Sequence, residues 1–409
     1  METIATDTQI TRPTTLVSFD NSSIHLDALR GIAALSVMIS HLREVFLVDY
    51  SSLSHRSPLL AFAYFLTGLG RQWVIVFFAL SGYLVGGSVL RGMRNGSWSW
   101  RKYLFSRMTR LYVVLIPALI FGGVIDWAGS HKSGAEIVYS GHSGMRSQAN
   151  DVYSRLNLPT LAANALFLQT IDPGWKRKPV FPTLGLNGPL WSLSNEFWYY
   201  LAFPVLVTAL SPARRFRMRA LCGALLLMWS WFVGYSITGL GIVWLMGVGI
   251  VYLPRIREAQ QALSKSIIAL AIAILIAALA SLGGGAYALG ANWHRPSYDL
   301  LIGIPVAFLI WTLLNCPPTR LPAFYVWIAR RLAHSSYTLY LVHMPALIYL
   351  KATFHITSAA PHWYGFAESV VVFGAVVLYA QCVYQLFEMN TDRVRRWLKP
   401  YVLDPSIAR

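Results

Sequence analysis

Two histidines, a glutamate and several arginines stand where an apolar chain has least reason to keep them. In LDALRGIAALSVMISHL, residues 26–42, Arg30 and His41 are separated by ten residues, nearly all apolar or small. On a helix that spacing puts His41 about 16 Å deeper than Arg30. In NGPLWSLSNEFWYYLAFP, residues 187–204, Glu196 falls roughly 10 Å below its helix start. A carboxylate at that depth can hold an imidazole by one nitrogen and leave the other to accept a proton, which is the work of a general base. In SSYTLYLVHMPALIYL, residues 335–350, His343 lies about 12 Å along its helix and reads equally as a site residue or as a structural hydrogen-bonding group. In RGMRNGSWSWRKYLFSRMTRLY, residues 91–112, Arg107 and Arg110 are three apart and share a helix face. Paired guanidiniums suit phosphate oxygens through forked, charge-assisted bonds, although ordinary loop charge is the simpler reading. Arg30, at a helix end, can reach water by snorkelling. In FFALSGYLVGG, residues 77–87, Ser81, Gly82 and Gly86 are small enough to let helices approach closely.

These residues need a membrane helix bundle to bring them together, and the composition calls for one. The 409 residues are 56% hydrophobic and 12% charged, against roughly 25% charged in soluble domains. Mean hydropathy is +0.49. The 15 Trp and 21 Tyr fit aromatic belts at membrane interfaces. A net charge of +17 fits positive-inside loops better than a nucleic-acid partner. Cys222, Cys316 and Cys382 have no paired spacing, so neither a disulfide framework nor a metal site is expected. Residues 1–25 are polar with no n-region and h-region, so the first membrane helix is expected to direct insertion.

Runs long enough to span a bilayer occur near 28–48, 60–90, 104–127, 189–210, 220–236, 238–253, 266–289, 298–315, 335–351 and 366–388. The two short runs around Gly239 suit a tight helical hairpin. With the N-terminus inside, the later inside loops carry fourteen Lys and Arg between 214 and 399, against Arg295 and Lys351 outside. That asymmetry predicts ten helices with both termini cytoplasmic. LPTLAANALFLQT, residues 158–170, is too short to span, and as a transmembrane piece it would invert every later loop. It is therefore expected to be interfacial or re-entrant within a large outside region at about 128–188. The expected organisation is a polar cytoplasmic segment at 1–25, a membrane domain at 26–389 and a basic tail at 390–409.

In order along the chain, the Arg-ten-residues-His spacing, FFALSGYL, the RMTR pair, LWSLSNEFWYYL and SSYTLYLVHMP resemble the acyltransferase-3 family. The likeness runs from about residue 24 to 388, and the ordered set is more specific than any one motif. Val usually precedes the family's glutamate; Asn195 stands there in this sequence. The resemblance implies transfer of an acyl group, commonly acetyl from acetyl-CoA, to hydroxyls of surface polysaccharides, lipopolysaccharides, peptidoglycan or small metabolites. It also implies a bacterial inner membrane location, and the short stretch after the last run resembles the stand-alone type without a hydrolase-like C-terminal domain.

On that resemblance, Arg107 and Arg110 would hold the phosphates of coenzyme A from the cytoplasm, with Arg30 near the entry. His41, oriented by Glu196, would deprotonate the acceptor hydroxyl, and His343 or Ser81 would contact the developing oxyanion or the acceptor. Direct transfer is preferred, with an acyl-histidine on His41 the alternative drawing. A transporter or flippase is the rival class, since such proteins also keep ionisable groups near the midplane; the absence of repeated halves in the sequence weighs against it. A carbohydrate-containing acceptor and the lipid bilayer are the expected partners, with no metal and no nucleic acid. The sequence does not fix the acceptor, the acyl length or the oligomeric state.

Overall fold

A computed structural model describes residues 21–141, 151–254, 267–278, 296–315, 321–356, 358 and 360–403. Most of the polar N-terminal segment, residues 142–150, the loop cations Arg255, Arg257, Lys265, Arg295 and Arg320, and Cys316 lie outside the described residues. The described chain is helical, without a strand; its one β-bridge joins Gln169 to Phe181.

The helices are α1 (Asn21–Phe46), α2 (Pro58–Thr67), α3 (Gly70–Ser81), α4 (Gly87–Arg94), α5 (Trp100–Ser130), α6 (Glu136–Tyr139), α7 (Leu158–Ala165), α8 (Leu190–Leu210) and α9 (Phe216–Gly249). They continue with α10 (Ile267–Ala278), α11 (Pro296–Leu314), α12 (Ala323–Thr353), α13 (Trp363–Leu386) and α14 (Thr391–Leu403). Their starts are set by capping chemistry. Ser57, Ser99 and Asn157 each accept the backbone N–H three residues on, with Pro58 and Pro159 in the first turns of α2 and α7, where a missing N–H costs nothing. Five helical stretches are long and apolar enough to cross a membrane: Ser23–Phe46, Pro58–Arg94, Trp100–Ser130, Phe216–Tyr252 and Trp363–Leu403. On α5, Ile116, Ile120, Val124 and Trp127 are all exposed, an outward apolar stripe at helical spacing.

The run at 60–90 is divided into α2, α3, a π-turn at Gly82–Gly86 and α4. Gly82 and Gly86 meet α9, as the small-residue pattern leads one to expect. A Cβ on Gly82 would lie 1.9 Å from the Trp244 carbonyl oxygen, and one on Gly247 would lie 2.0 Å from that of Ala79. The expected hairpin around Gly239 turns instead at Gly234, whose φ of 85° and ψ of −174° break α9. Ser230 and Thr238 then come within 3.2 Å through their hydroxyls, whereas a straight helix would hold them about 12 Å apart. A β-carbon on Gly234 would sit 2.4 Å from the Asp172 carbonyl oxygen, so the turn is packed against the segment around Asp172. The segment 158–170 forms only the eight-residue α7 and runs back against α5 and α8: Tyr112 donates to the Ala165 carbonyl, while Ser194 and the Trp198 indole donate to that of Phe167.

α1 and α12 form the most extensive helix pair and run side by side in parallel. His25 meets Tyr325, Gly31 abuts Leu332, and His41 meets His343, a nearly constant offset in chain position. This pairing fixes the two histidines at one depth.

Candidate active site

The His41 Nδ1 and His343 Nε2 atoms lie 2.8 Å apart, with the rings edge to edge, 5.1 Å between centroids and 15° between planes. His343 Nδ1 lies 2.9 Å from the Leu339 carbonyl oxygen. A carbonyl only accepts, so His343 Nδ1 carries the proton. In a neutral imidazole the other nitrogen then holds the lone pair. His343 Nε2 therefore accepts, and His41 Nδ1 donates to it. His41 is left with the lone pair on Nε2, the state a general base needs. His343 is fully buried and His41 only partly so.

Glu196 does not hold His41, contrary to the sequence expectation. Its Oε1 accepts from Ser81 Oγ at 2.7 Å and from the Tyr200 hydroxyl, and the Trp244 indole donates to Ser81 at 3.2 Å. Depth along two helices was readable from the sequence; which helices touch was not, and α1 pairs with α12. His343, expected as an oxyanion or acceptor contact, has both ring nitrogens engaged, one by His41 and one by the Leu339 carbonyl. Ser81 likewise spends its proton on Glu196.

Two prolines shape the backbone around these groups. Pro204 leaves the Tyr200 carbonyl without a helical donor, and the Tyr103 hydroxyl supplies one at 3.0 Å. Pro345 does the same to the Leu341 carbonyl, which accepts from Asn187 Nδ2 at 2.8 Å. A buried carbonyl left unpaired is costly, so each proline ties its helix to a neighbour beside the site.

A cavity of about 410 Å³ reaches these elements. Arg30, Arg107 and Arg110 line it together with Ser81, Glu196 and Tyr200. Five of the seven residues singled out in the sequence thus share one space. His41 and His343 are not on its wall; Tyr340 is, with its ring centroid 6.0 Å from that of His343. The Tyr340 hydroxyl is fixed between Ser192 at 2.7 Å and the Pro189 carbonyl at 3.1 Å. Arg30 Nη2 contacts Asp27 at 3.2 Å, whereas the Nε atoms of Arg30 and Arg107 are buried without a hydrogen-bond partner. Unpartnered guanidinium donors beside a cavity are suited to an anion with several oxygens. Among the described residues no group of three or more His, Cys, Asp or Glu could hold a metal.

Sequence reasoning passed over Tyr200, Tyr340 and Arg395, which also line the cavity. Tyr200 was within reach, because it sits four residues after Glu196 and so shares its helix face. In the sequence Arg395 is one cation among several in the basic stretch at 390–409.

Fold and cavity together define a multi-pass helical membrane protein with a polar internal site opening among arginines. The chain belongs to the acyltransferase-3 family: that family's model, an acyltransferase domain, matches residues 24–380. It is also similar to the acyltransferase MdmB of Streptomyces mycarofaciens, with 30% identity over 187 residues. That match takes in 44% of this chain and 38% of the relative, so the chain spans well under half the length of the curated protein it matches. No solved structure shows a significant match.

Proposed function

We propose that this protein is a membrane acyltransferase that moves an acyl group, in the first instance acetyl, from cytoplasmic acyl-CoA to a hydroxyl of a carbohydrate-containing acceptor at the outer side of a bacterial inner membrane. Family membership supports the reaction class. The observation that carries the rest is the arrangement of two complementary sites: a cavity with unpartnered guanidinium donors, and beside it a histidine pair that leaves His41 Nε2 able to take a proton.

In this reading the arginines of α1 and α5 hold the donor's phosphates by charge-assisted bonds. The thin pantetheine arm lies in the cavity and carries the thioester towards the histidines. An acceptor hydroxyl is a weak nucleophile near neutral pH and needs its proton removed as it attacks. His41 Nε2 takes that proton while the hydroxyl oxygen bonds to the thioester carbon. The carbon–sulfur bond then breaks, and the departing sulfur recovers the proton from His41. Glu196, fixed through Oε1 by Ser81 and Tyr200, offers its second oxygen to a substrate N–H or O–H. Ten spans with both termini inside put the arginines on the cytoplasmic face.

The test is CoA release from labelled acetyl-CoA by purified protein, with and without cell-envelope glycans. His41→Ala is expected to lower kcat by about 100-fold or more. The Arg107→Ala, Arg110→Ala double variant is expected to raise the KM for acetyl-CoA more than it lowers kcat. Equal release by wild type and His41→Ala would refute the catalytic assignment. Failure of the wild type to bind acetyl-CoA would remove the donor and favour transport.

A further inference from the structure

The cavity has a fourth guanidinium that the family match does not reach. Arg395 lies on α14, beyond the matched residues 24–380, yet lines the same wall as Arg30, Arg107 and Arg110. Its Nη1 atom donates to Asp392 at 2.6 Å one turn earlier, while its Nε is buried with no partner, as in Arg30 and Arg107. Three of the four guanidiniums around one cavity thus keep a buried donor unsatisfied. Such donors are costly when nothing accepts from them, so their clustering at one cavity calls for a ligand.

α14 is not a loose tail. Glu388, just before it, accepts from the Thr338 backbone N–H at 3.1 Å and from the Thr338 hydroxyl at 2.5 Å, which ties the start of α14 to α12. Near its far end, the Val402 carbonyl accepts from Arg101 of α5 at 2.7 Å. The helix is therefore strapped at both ends to the two helices that flank the cavity. Asp392 fixes the one side chain that enters it.

We propose that α14 is part of the donor site, and that Arg395 is a binding residue for a soluble polyphosphate group, completing a four-guanidinium clamp. This deepens the donor reading given above and rests on it. A single phosphate would be over-provided by four forked cations; a donor with a pyrophosphate and a further phosphate, as in acyl-CoA, matches their number. Arg30 and Arg395 share their charge with Asp27 and Asp392 respectively, through one nitrogen each, and a guanidinium retains further N–H donors for the ligand.

The experiment uses the full chain in zwitterionic phosphatidylcholine nanodiscs, comparing wild type with Arg395→Ala, Arg395→Lys and Arg396→Ala, the last a charge-matched control on the exposed face of α14. Pyrophosphate binding is read directly, and turnover is read with acetyl-CoA and with acetyl-pantetheine, which lacks the nucleotide phosphates. Loss of one charge-assisted contact should weaken pyrophosphate binding, and raise the KM for acetyl-CoA, by about tenfold in Arg395→Ala. Arg395→Lys should recover part of this, Arg396→Ala should match wild type, and all variants should use acetyl-pantetheine equally. Equal pyrophosphate binding by wild type and Arg395→Ala would overturn the proposal, as would an equal loss in Arg396→Ala. Arginine-dependent binding seen only when phosphatidylglycerol replaces pyrophosphate would make this a lipid-headgroup site and also overturn it. If pyrophosphate binding depends on Arg395 but acetyl-CoA is not consumed, the acyl-CoA reading fails while the anion clamp stands.

Discussion

His41 owes its unprotonated Nε2 to a residue that cannot itself meet a substrate. The Leu339 carbonyl fixes the tautomer of His343, and His343 fixes that of His41. Replacing His343 with Leu removes the acceptor for His41 Nδ1–H, so kcat should fall by about 100-fold with little change in donor KM. Gln at that position places an amide oxygen near the lost Nε2, and His343→Gln should restore much of kcat. Steady-state kinetics of the two variants checks this, because a role in packing alone would spare neither variant selectively. The proposed participants His41, Glu196, Arg30, Arg107 and Arg110 stand out in the sequence because charge inside an apolar run is expensive and therefore conspicuous. Their partners do not. Tyr200, Trp244 and Tyr340 are ordinary residues in an aromatic-rich chain, and only their positions in space set them apart.

At the scale of the helices, close backbone contact does what depth arguments cannot. α3 and the π-turn that follows it touch α9 at Gly82 and Gly247, where a β-carbon would lie about 2 Å from a carbonyl oxygen across the contact. Gly247→Ala should therefore destabilise the protein by about 1–3 kcal/mol, read as a lower unfolding midpoint in detergent. Gly223, in α9 with nothing within 4 Å of its built Cβ, is the internal control; Gly223→Ala should be neutral or stabilising by up to about 1 kcal/mol. A drop of equal size in both variants would show that the α3–α9 contact is not special. Helix positions were largely readable, since apolar runs of spanning length need few other cues. The hairpin expected at Gly239 turns at Gly234, because the sequence offers several glycines and only the packing of Asp172 against Gly234 selects among them. The parallel pairing of α1 with α12 joins segments some 300 residues apart, and hydropathy carries no record of such a partner.

Across the whole molecule, the central claim is direction: the arginine cavity takes its donor from one side and the acceptor arrives from the other. Cysteine labelling tests the layout in a background free of Cys222, Cys316 and Cys382. A cysteine at Arg396, on the exposed face of α14, should react with an impermeant reagent only in inside-out vesicles. One at Tyr153, an exposed residue in the region proposed to lie outside, should react only in right-side-out vesicles. The basic residues that predict this orientation belong partly to loops outside the described residues, so charge asymmetry, not geometry, carries that expectation. The most direct test of the account is transfer across a sealed membrane. Protein is reconstituted in proteoliposomes and the correctly oriented fraction is assayed, with labelled acetyl-CoA on the face that carries Arg107 and Arg110 and a hydroxyl-bearing glycan acceptor on the other. Label should appear on the acceptor with wild type and be lost with His41→Ala, while the vesicles stay impermeable to acetyl-CoA. Label reaching the acceptor equally with His41→Ala, or only when donor and acceptor share a compartment, would contradict it.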